Sequence, residues 1–295
     1  ESTEAVAEVE TEVVPEETEP IEEEDEDSSE AKAVLENMIK ASQENPMTSA
    51  DLLLDLQMNM AMEGMSLDLG MKMDGDYMYS ADPYTAYAKF VMELNMLGET
   101  QKMEMDTYIV EEDGVIYNYT NSEGVWSKVD SGLTLEDALS NQYGYAWLEK
   151  VSDVELKLDK EDVNGKEAYK LNMIMTGNDI INLATTMTES VAEMEEALGE
   201  LETMGIDMSA ISVDVTYYVD AENYQVSKIE MKMLGLDSLL EDIMALGAAE
   251  AGEEMNYTMS ISKCDMAFDN ISYEPVEIPA LPQEALDAAV VSEEF

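Results

Sequence analysis

The stretch from Leu52 to Met73 constrains the fold most, because its apolar residues change parity at Glu63-Gly64. Before that pair they are even-numbered, and after it they are odd-numbered: Leu54, Leu56, Met58, Met60 and Met62, then Met65, Leu67, Leu69, Met71 and Met73. Strand side chains alternate between two faces, so a two-residue turn keeps every apolar side chain on one face. The predicted register pairs Met62 with Met65, Met60 with Leu67 and Met58 with Leu69. This pattern predicts a hairpin of a half-buried antiparallel sheet.

The same alternation recurs along the chain, which predicts a run of antiparallel strands. A second hairpin is predicted to turn at Gly98-Glu99, with Leu94 opposite Met103 and Met92 opposite Met105. Further turns are predicted at Asp113-Gly114, Glu123-Gly124, Asn164-Gly165 and 221–223. The third clear hairpin places Leu158 opposite Leu171 and Leu156 opposite Met173. A change of parity near Ser262-Lys263 predicts a β-bulge in the last long strand.

Three segments have helical rather than strand periodicity. Ala31, Val34, Leu35, Met38 and Ile39 form one apolar stripe, which ends before Asn45-Pro46. The longest predicted helix covers 180–201, and its stripe includes Met187. A shorter helix is predicted to begin at Leu236. An amphipathic helix must cover apolar surface, so the apolar face of the sheet is its expected partner.

The charge balance excludes several classes of function. The 295-residue chain has 68 acidic residues against 14 Lys, no Arg and no His, giving a formal net charge of −54. Nucleic acid is bound chiefly through Lys and Arg, so we expect no nucleic-acid binding. The absence of His excludes Ser-His-Asp and Cys-His catalysis and His-metal sites. Cys264 is the only cysteine and cannot form an intramolecular disulfide.

Composition divides the chain into three parts. Residues 1–29 carry fourteen Asp or Glu and no Lys, which predicts a disordered acidic tether. Residues 30–282 are predicted to form a single domain. Pro275, Pro279 and Pro282 favour an extended C-terminal segment, and 283–295 is predicted to be a flexible tail.

Methionine is the main functional clue, with 25 residues against 3 Phe. The candidate ligand-binding set lies on the predicted interior face: Met58, Met60, Met62, Met71, Met73, Phe90, Met92, Met103, Met105, Met173, Met175, Met187, Met231 and Met233. Flexible, polarizable thioethers adapt to variable apolar ligands, so the set as a whole indicates a site for a hydrophobic small molecule or lipid. Packing beneath helices is the alternative for each individual methionine.

Other chemistry has weaker support in the sequence. Thioethers also bind copper(I), but their regular spacing over five strands fits packing better than one coordination site. We therefore predict no metal site and no cofactor. Carboxylate pairs are uninformative among 68 acidic residues, and no EF-hand spacing accompanies Asp74-Gly75-Asp76.

Three phrases carry a resemblance to a known group of proteins. They are DGVIYNYTNSEGVWSKVD at 113–130, VNGKEAYKLNMIM at 163–175 and VTYYVDAENYQVSKIEMKM at 215–233. With the acidic tether and the helices late in the chain, they resemble Gram-positive exported lipoproteins of the LolA/LppX lipoprotein-carrier superfamily, over roughly 30–282. The resemblance implies an α+β fold, a curved antiparallel sheet that forms an open half-barrel with helices packed on its concave face. Several characterised members carry acyl chains there.

Taken together, these observations predict a non-enzymatic cell-envelope lipoprotein. It would bind an acyl chain or lipid between sheet and helices, as a monomer on the extracellular face of the cytoplasmic membrane. The resemblance implies a lipid anchor outside this chain. The alternative is a structural or sensory envelope lipoprotein with a filled core that acts through a protein partner.

Overall fold

One β-sheet dominates the computed structural model, which describes residues 26–62, 65–135, 148, 155–163, 165–177, 179, 210–251 and 257–291. The strands in these ranges are β1 (Ser49–Met62), β2 (Met65–Ala81), β3 (Tyr84–Met96), β4 (Glu99–Glu112), β5 (Val115–Ser122), β6 (Val125–Asp130), β7 (Glu155–Val163), β8 (Lys166–Thr176), β9 (Ser212–Asp220), β10 (Val226–Leu234), β11 (Tyr257–Ser272) and β12 (Val290–Val291). The helices are α1 (Glu26–Glu44), α2 (Leu236–Ala251) and α3 (Gln283–Leu286). The predicted helix over 180–201 lies outside the described residues.

The strand order is β12-β6-β5-β4-β3-β2-β1-β11-β10-β9-β8-β7. All neighbours are antiparallel except β12, which runs parallel to β6. β12 and β7 form the two ends of the sheet and do not pair with each other, so the sheet is open within the described part of the chain. The prediction of a single open antiparallel sheet is confirmed.

The register of the first and third hairpins matches the prediction. Met62 pairs with Met65, Met60 with Leu67 and Met58 with Leu69. Leu158 pairs with Leu171, and Leu156 with Met173. The bulge in β11 is also confirmed, because Gln57 pairs with Lys263 and Met58 with Ile261, which leaves Ser262 as the extra residue. Alternation and turn chemistry together were sufficient to fix these registers.

The predicted register of the second hairpin was wrong by two residues. The structure pairs Met92 with Met103 and Phe90 with Met105. The turn is at Leu97-Gly98, where φ is 54° and 82°, rather than at Gly98-Glu99. A two-residue turn with positive φ at both central positions favours glycine at the second one, and Gly98 occupies that position. A slide of two residues preserves the facing of every side chain, so the predicted apolar face was still correct.

The register defines two faces of the sheet. We call the face that carries Met58 the methionine face and the opposite one the lysine face. Ten of the 14 lysines belong to strand positions on the lysine face: Lys72, Lys89, Lys102, Lys128, Lys157, Lys166, Lys170, Lys228, Lys232 and Lys263. Of the other four, Lys150 lies outside the described residues. The sheet therefore carries most of its lysines on the face opposite the methionines.

Helix α1 packs on the methionine face over β7 and β8. Its buried stripe is the predicted one: Ala31, Val34, Leu35, Met38 and Ile39. These side chains form one core cluster with Leu171, Met173, Val215 and Tyr217 of the sheet. The prediction that an N-terminal amphipathic helix packs on the sheet is confirmed. The helix begins at Glu26, within the segment predicted to be the tether.

Two tyrosine clusters pack on opposite faces of the sheet. Tyr79, Tyr84, Ala86 and Ile116 form a core on the methionine face. Tyr87, Tyr108 and Tyr119 form another on the lysine face. Ile278, Leu281 and Ala285 of the C-terminal segment pack against these tyrosines, so this segment runs over the lysine face of the sheet. The residues predicted to be a flexible tail, 283–295, include α3 and β12 in their described part.

Gly75 in β2 lies directly opposite Phe90 of β3. A Cβ atom at this position would lie 2.5 Å from the carbonyl oxygen of Lys89 and 2.5 Å from a ring carbon of Phe90. The oxygen belongs to the backbone of a paired strand and cannot move away without disturbing the ladder. We therefore expect Gly75→Ala to lower the free energy of unfolding by about 1–3 kcal/mol, measured by urea denaturation.

Gly70 in the same strand provides the matched control. A Cβ atom there would lie 3.6 Å from Asn95 Cβ, which is an ordinary contact distance. Gly70→Ala should therefore be neutral or slightly stabilising, since it reduces the entropy of the unfolded chain. Equal losses in the two variants would contradict the steric argument.

Candidate functional site

The methionine face carries an apolar row that crosses nine neighbouring strands, from β7 to β4. Each member pairs directly with the next in the register: Leu156, Met173, Val215, Met231, Met266, Leu54, Met73, Met92 and Met103. Cross-strand partners on one face stand about 5 Å apart, so such a row is a continuous strip of thioether and aliphatic groups. The strip runs perpendicular to the strands.

The fourteen predicted ligand-binding residues fall almost entirely on this face. Twelve of them occupy strand positions there: Met58, Met60, Met71, Met73, Phe90, Met92, Met103, Met105, Met173, Met175, Met231 and Met233. Met62 is the last residue of β1 and pairs with Met65 of β2. Met187 lies outside the described residues. The register therefore places the predicted strand residues on one face, whereas their role in binding stays a prediction.

Burial divides this set into two groups. Met173 and Met175 are 1% and 6% exposed beneath α1, so they are core residues. The other ten of the twelve are partly exposed, and Met103 reaches 38%. Side chains that are already out of contact with water gain nothing from a ligand. The partly exposed members, which extend from β10 to β4, are the ones that can bury further area.

Among the residues of this face that sequence reasoning left out of the candidate site are Met266 and Phe268 of β11. Met266 stands between Leu54 and Met231 in the row, and Phe268 stands between Leu52 and Ile229 in the next one. The parity change at the β11 bulge was the signal that could have added them, because it moves even-numbered residues onto the apolar face. The sequence predicted the bulge, but the candidate site did not include the two residues that follow it on this face.

Cys264 lies on the methionine face opposite Leu56 and is 9% exposed. Burial raises the pKa of its thiol, and the carboxylate of Asp265 acts in the same direction. The thiol therefore stays protonated near neutral pH and is a weak nucleophile. Among the described residues, no three His, Cys, Asp or Glu side chains are grouped closely enough to hold a metal ion.

The lysine face contains a groove of about 630 Å³ over β3, β2, β1, β11 and β10. Three lysines and five carboxylates line it, together with apolar residues of both faces. Of the predicted ligand-binding residues, only Met73 and Met231 border this groove. The volume is within the range of small-molecule sites. The groove therefore shares four residues with the apolar row: Leu54, Met73, Met231 and Met266.

A family model matches residues 30–290, described as a family of unknown function, DUF6612. The chain belongs to this family. The DUF6612 match begins at the fifth residue of α1, covers strands β1 to β11 in full and ends at the first residue of β12. No curated protein matches the sequence. The resemblance to the LolA/LppX superfamily stays a prediction.

Two solved structures show a distant likeness to this DUF6612 protein. A DUF1329 family protein from Desulfovibrio piger is 12% identical, with a TM-score of 0.23, over 82% of this chain and 91% of that one. A β-barrel-like protein of the DUF1849 domain from Brucella abortus is 11% identical, with a TM-score of 0.23, over 77% of this chain and 99% of that one. Helices in the described parts of the chain are too short or too polar to cross a membrane.

Proposed function

We propose that this DUF6612 protein is a non-enzymatic cell-envelope protein that binds a hydrophobic ligand, an acyl chain or a lipid, on the methionine face. The nine-strand apolar row is the observation that supports the proposal most. Its members from β10 to β4 are partly exposed, so they retain area that a ligand can remove from water. An extended acyl chain is long and narrow, and therefore suits a strip better than a compact ligand would.

Desolvation supplies the binding free energy in this mechanism. Burial of about 200 Å² of apolar area contributes roughly 5 kcal/mol at about 25 cal/mol per Å², before the cost of ordering the ligand. Methionine side chains have three rotatable bonds and can refit to different ligands. We therefore expect weak discrimination between acyl chains of different length.

The proposal includes export and attachment to the outer surface of the cytoplasmic membrane through a lipid anchor outside this chain. The acidic stretch 1–29 supports it, because fourteen carboxylates and no lysine suit a self-repelling spacer. The resemblance to exported lipoproteins, which draws partly on this stretch, also supports it. The protein would act as a monomer and, with a net charge of −54, would not bind nucleic acid.

A second candidate is an envelope protein that acts through a protein partner and has a filled core. The burial of Met173 and Met175 beneath α1 favours it, because that part of the methionine face has no room for a ligand. Under this alternative, the whole face would be covered by the protein's own residues.

Native mass spectrometry distinguishes the two candidates. The protein is purified without detergent and measured before and after extraction with organic solvent, and then after incubation with phospholipid. We expect an extractable adduct of acyl-lipid mass that returns on incubation. A polypeptide mass that stays unchanged throughout would overturn the lipid proposal and favour the protein partner.

Variants in the exposed part of the row test where the ligand lies. Met73 and Met92 pair directly across β2 and β3 and are both partly exposed. The double change Met73→Gln and Met92→Gln should weaken lipid binding at least tenfold, since two apolar contacts of about 1 kcal/mol or more are lost. Binding is measured by displacement of a fluorescent fatty acid.

The matched control replaces the same two residues by leucine. Leucine preserves apolar area and volume, so binding should stay within about twofold of the wild type. Unchanged affinity in the glutamine variant would place the ligand elsewhere in the molecule.

A further inference from the structure

Between β10 and β4, the apolar row consists of methionines at every position except Leu54. We call these methionines the thioether strip: Met231, Met266, Met73, Met92 and Met103. Each is at least partly exposed, and Met103 reaches 38%. Side chains that are paired across neighbouring strands stand about 5 Å apart. The strip therefore places five accessible thioether side chains along one line of the sheet.

The same row also contains a protected methionine. Met173 on β8 is 1% exposed, because it belongs to the core that α1 covers. Met38 of α1 lies in the same core and is 0% exposed. Oxidation of a sulfur atom requires contact with the oxidant, so a core methionine reacts only when the structure opens locally. The row thus combines accessible and inaccessible thioethers on one continuous surface.

The single thiol of the chain competes poorly for an oxidant. Cys264 is 9% exposed, whereas the thioether strip is open to water. Peroxides react with the thiolate form, and burial raises the pKa of this thiol. A thioether has no proton to lose and is reactive as it stands. Hydrogen peroxide is uncharged, so the net charge of −54 does not repel it.

We propose that the thioether strip is a site of reversible methionine oxidation by a peroxide, and that this oxidation releases the apolar ligand. The release step rests on the ligand site proposed above. In the reaction, a sulfur lone pair attacks one oxygen of the peroxide. An S–O bond forms, the O–O bond breaks and the second oxygen leaves as water. Sulfur gives two electrons to the peroxide and becomes a sulfoxide.

Oxidation changes the strip from an apolar to a polar surface. A sulfoxide oxygen is a hydrogen-bond acceptor, and an acyl chain offers it no donor. Covering that oxygen with the ligand therefore removes its hydrogen bonds to water without replacing them. Five neighbouring sulfoxides repeat this cost along the whole contact. We expect the oxidised strip to bind an acyl chain at least tenfold more weakly.

The fold itself should withstand this change. The members of the strip are exposed to water in the absence of a ligand, so their sulfoxide oxygens stay hydrated. The core beneath α1, which contains Met173, Leu171 and Val215, excludes the oxidant. Oxidation of the strip therefore acts on binding before it acts on stability.

Peptide mapping by mass spectrometry measures the site of oxidation directly. The full chain is treated with hydrogen peroxide, and the sulfoxide fraction of each methionine is followed with time. We expect the strip to be oxidised at least tenfold faster than Met173 and Met38. The same treatment in concentrated urea should remove this difference, since every methionine is then exposed. Equal rates in the folded protein would overturn the assignment of the site.

Displacement of a fluorescent fatty acid measures the effect on binding. We expect peroxide treatment to weaken binding at least tenfold, while the far-ultraviolet circular dichroism of the strands is unchanged. Methionine sulfoxide reductases with dithiothreitol should restore the affinity, because they return the sulfoxides to thioethers. A loss of strand signal together with binding, or a loss that the reductases do not reverse, would overturn the release step.

Variants with fewer oxidisable side chains locate the effect. Each variant is compared with itself before and after peroxide treatment. Leucine is apolar and carries no sulfur, so the strip variant should lose less than threefold in affinity; its changes are Met73→Leu, Met92→Leu, Met103→Leu, Met231→Leu and Met266→Leu. A variant with only Met73→Leu and Met92→Leu should show an intermediate loss.

Met78→Leu is the matched control. Met78 is partly exposed like the strip, but it packs with the tyrosine cluster of the lysine face. This variant should lose at least tenfold in affinity after peroxide treatment, as the wild type does. Equal losses in the control and in the strip variant would reject the strip as the site of the effect.

The two measurements separate failure of this inference from failure of the proposed function. If the untreated protein binds no fatty acid, the proposed function fails, and the release step fails with it. Peptide mapping then still decides the oxidation site, because it does not depend on a ligand. If binding is normal and survives complete oxidation of the strip, the proposed function stands and the release step is overturned.

Discussion

Between pH 10 and pH 12 the protein is expected to lose its stability steeply and to unfold. Burial raises the pKa of several tyrosines, which belong to both faces of the sheet: Tyr77, Tyr84, Tyr87, Tyr108, Tyr119 and Tyr218. Burial raises the pKa of Tyr218 to about 12, and the hydrogen bond that its hydroxyl donates to Glu230 at 3.0 Å adds to this effect. Asp106 acts on Tyr87 in the same way, at 2.9 Å.

The sign of the effect follows from proton binding in the two states. An unfolded tyrosine has a pKa of about 10, so below that pH both states keep the proton and stability is complete. Above it the unfolded chain releases protons that the folded chain still holds. Each strongly shifted group then costs up to about 1.4 kcal/mol per pH unit, and three of them cost roughly 4 kcal/mol by pH 11. That is a large part of a typical stability of 5–15 kcal/mol.

Far-ultraviolet circular dichroism and absorbance at 295 nm, recorded together against pH, measure this transition. Loss of strand signal should accompany the main rise in tyrosinate absorbance. Tyr218→Phe should give a shallower loss of stability above pH 10, because one of the linked protons is removed. Ionisation of most tyrosines near pH 10 with an unchanged strand signal would contradict the prediction.

Leu171→Ala is expected to have the largest effect of any single truncation beneath α1. Leu171 is fully buried between Leu158 and Tyr217 in the register and belongs to the core that α1 covers. Removal of a buried leucine side chain typically costs 2–5 kcal/mol, and a site held between a helix and a sheet has little freedom to collapse. The midpoint of urea unfolding should fall accordingly.

Leu69→Ala is the matched control on the same face. Leu69 is partly exposed and pairs with Met58 and Met96. Its truncation should cost less than half as much, because less apolar area returns to water. Comparable losses would mean that the face is equally buried throughout, which would also count against a ligand site on β2.

The sequence predicted those parts of the fold that depend on local patterns. Alternation around Glu63-Gly64 and Asn164-Gly165 predicted register and facing, because a two-residue turn leaves few alternatives. The parity change near Ser262-Lys263 predicted the bulge in β11. The second hairpin failed because both Leu97-Gly98 and Gly98-Glu99 contain a glycine, and parity does not distinguish registers that differ by two residues. The predicted facing of the methionines was still correct, because a shift of two residues does not change the face on which a side chain lies.

Features built from distant parts of the chain could not be predicted in this way. The groove joins Lys72 on β2 to Lys232 on β10, which are 160 residues apart in the sequence. Neither strand carries a local signal that the other lies nearby. The packing of Ile278 and Leu281 on the tyrosine cluster was likewise missed, since a proline-rich segment shows no periodicity that identifies its partner.

The central position of β11 has a consequence for the order of folding. This strand joins β1 to β10 in the middle of the sheet, although its residues come after both of those strands in the sequence. Until about residue 272 has left the ribosome, β1 and β10 have no common neighbour, and the two meanders cannot merge into one sheet. Pairing across more than 200 residues carries a large loop-closure cost and is slow. A nascent chain should therefore stay incompletely folded until β11 has been synthesised, with two unpaired strand edges that a chaperone could recognise.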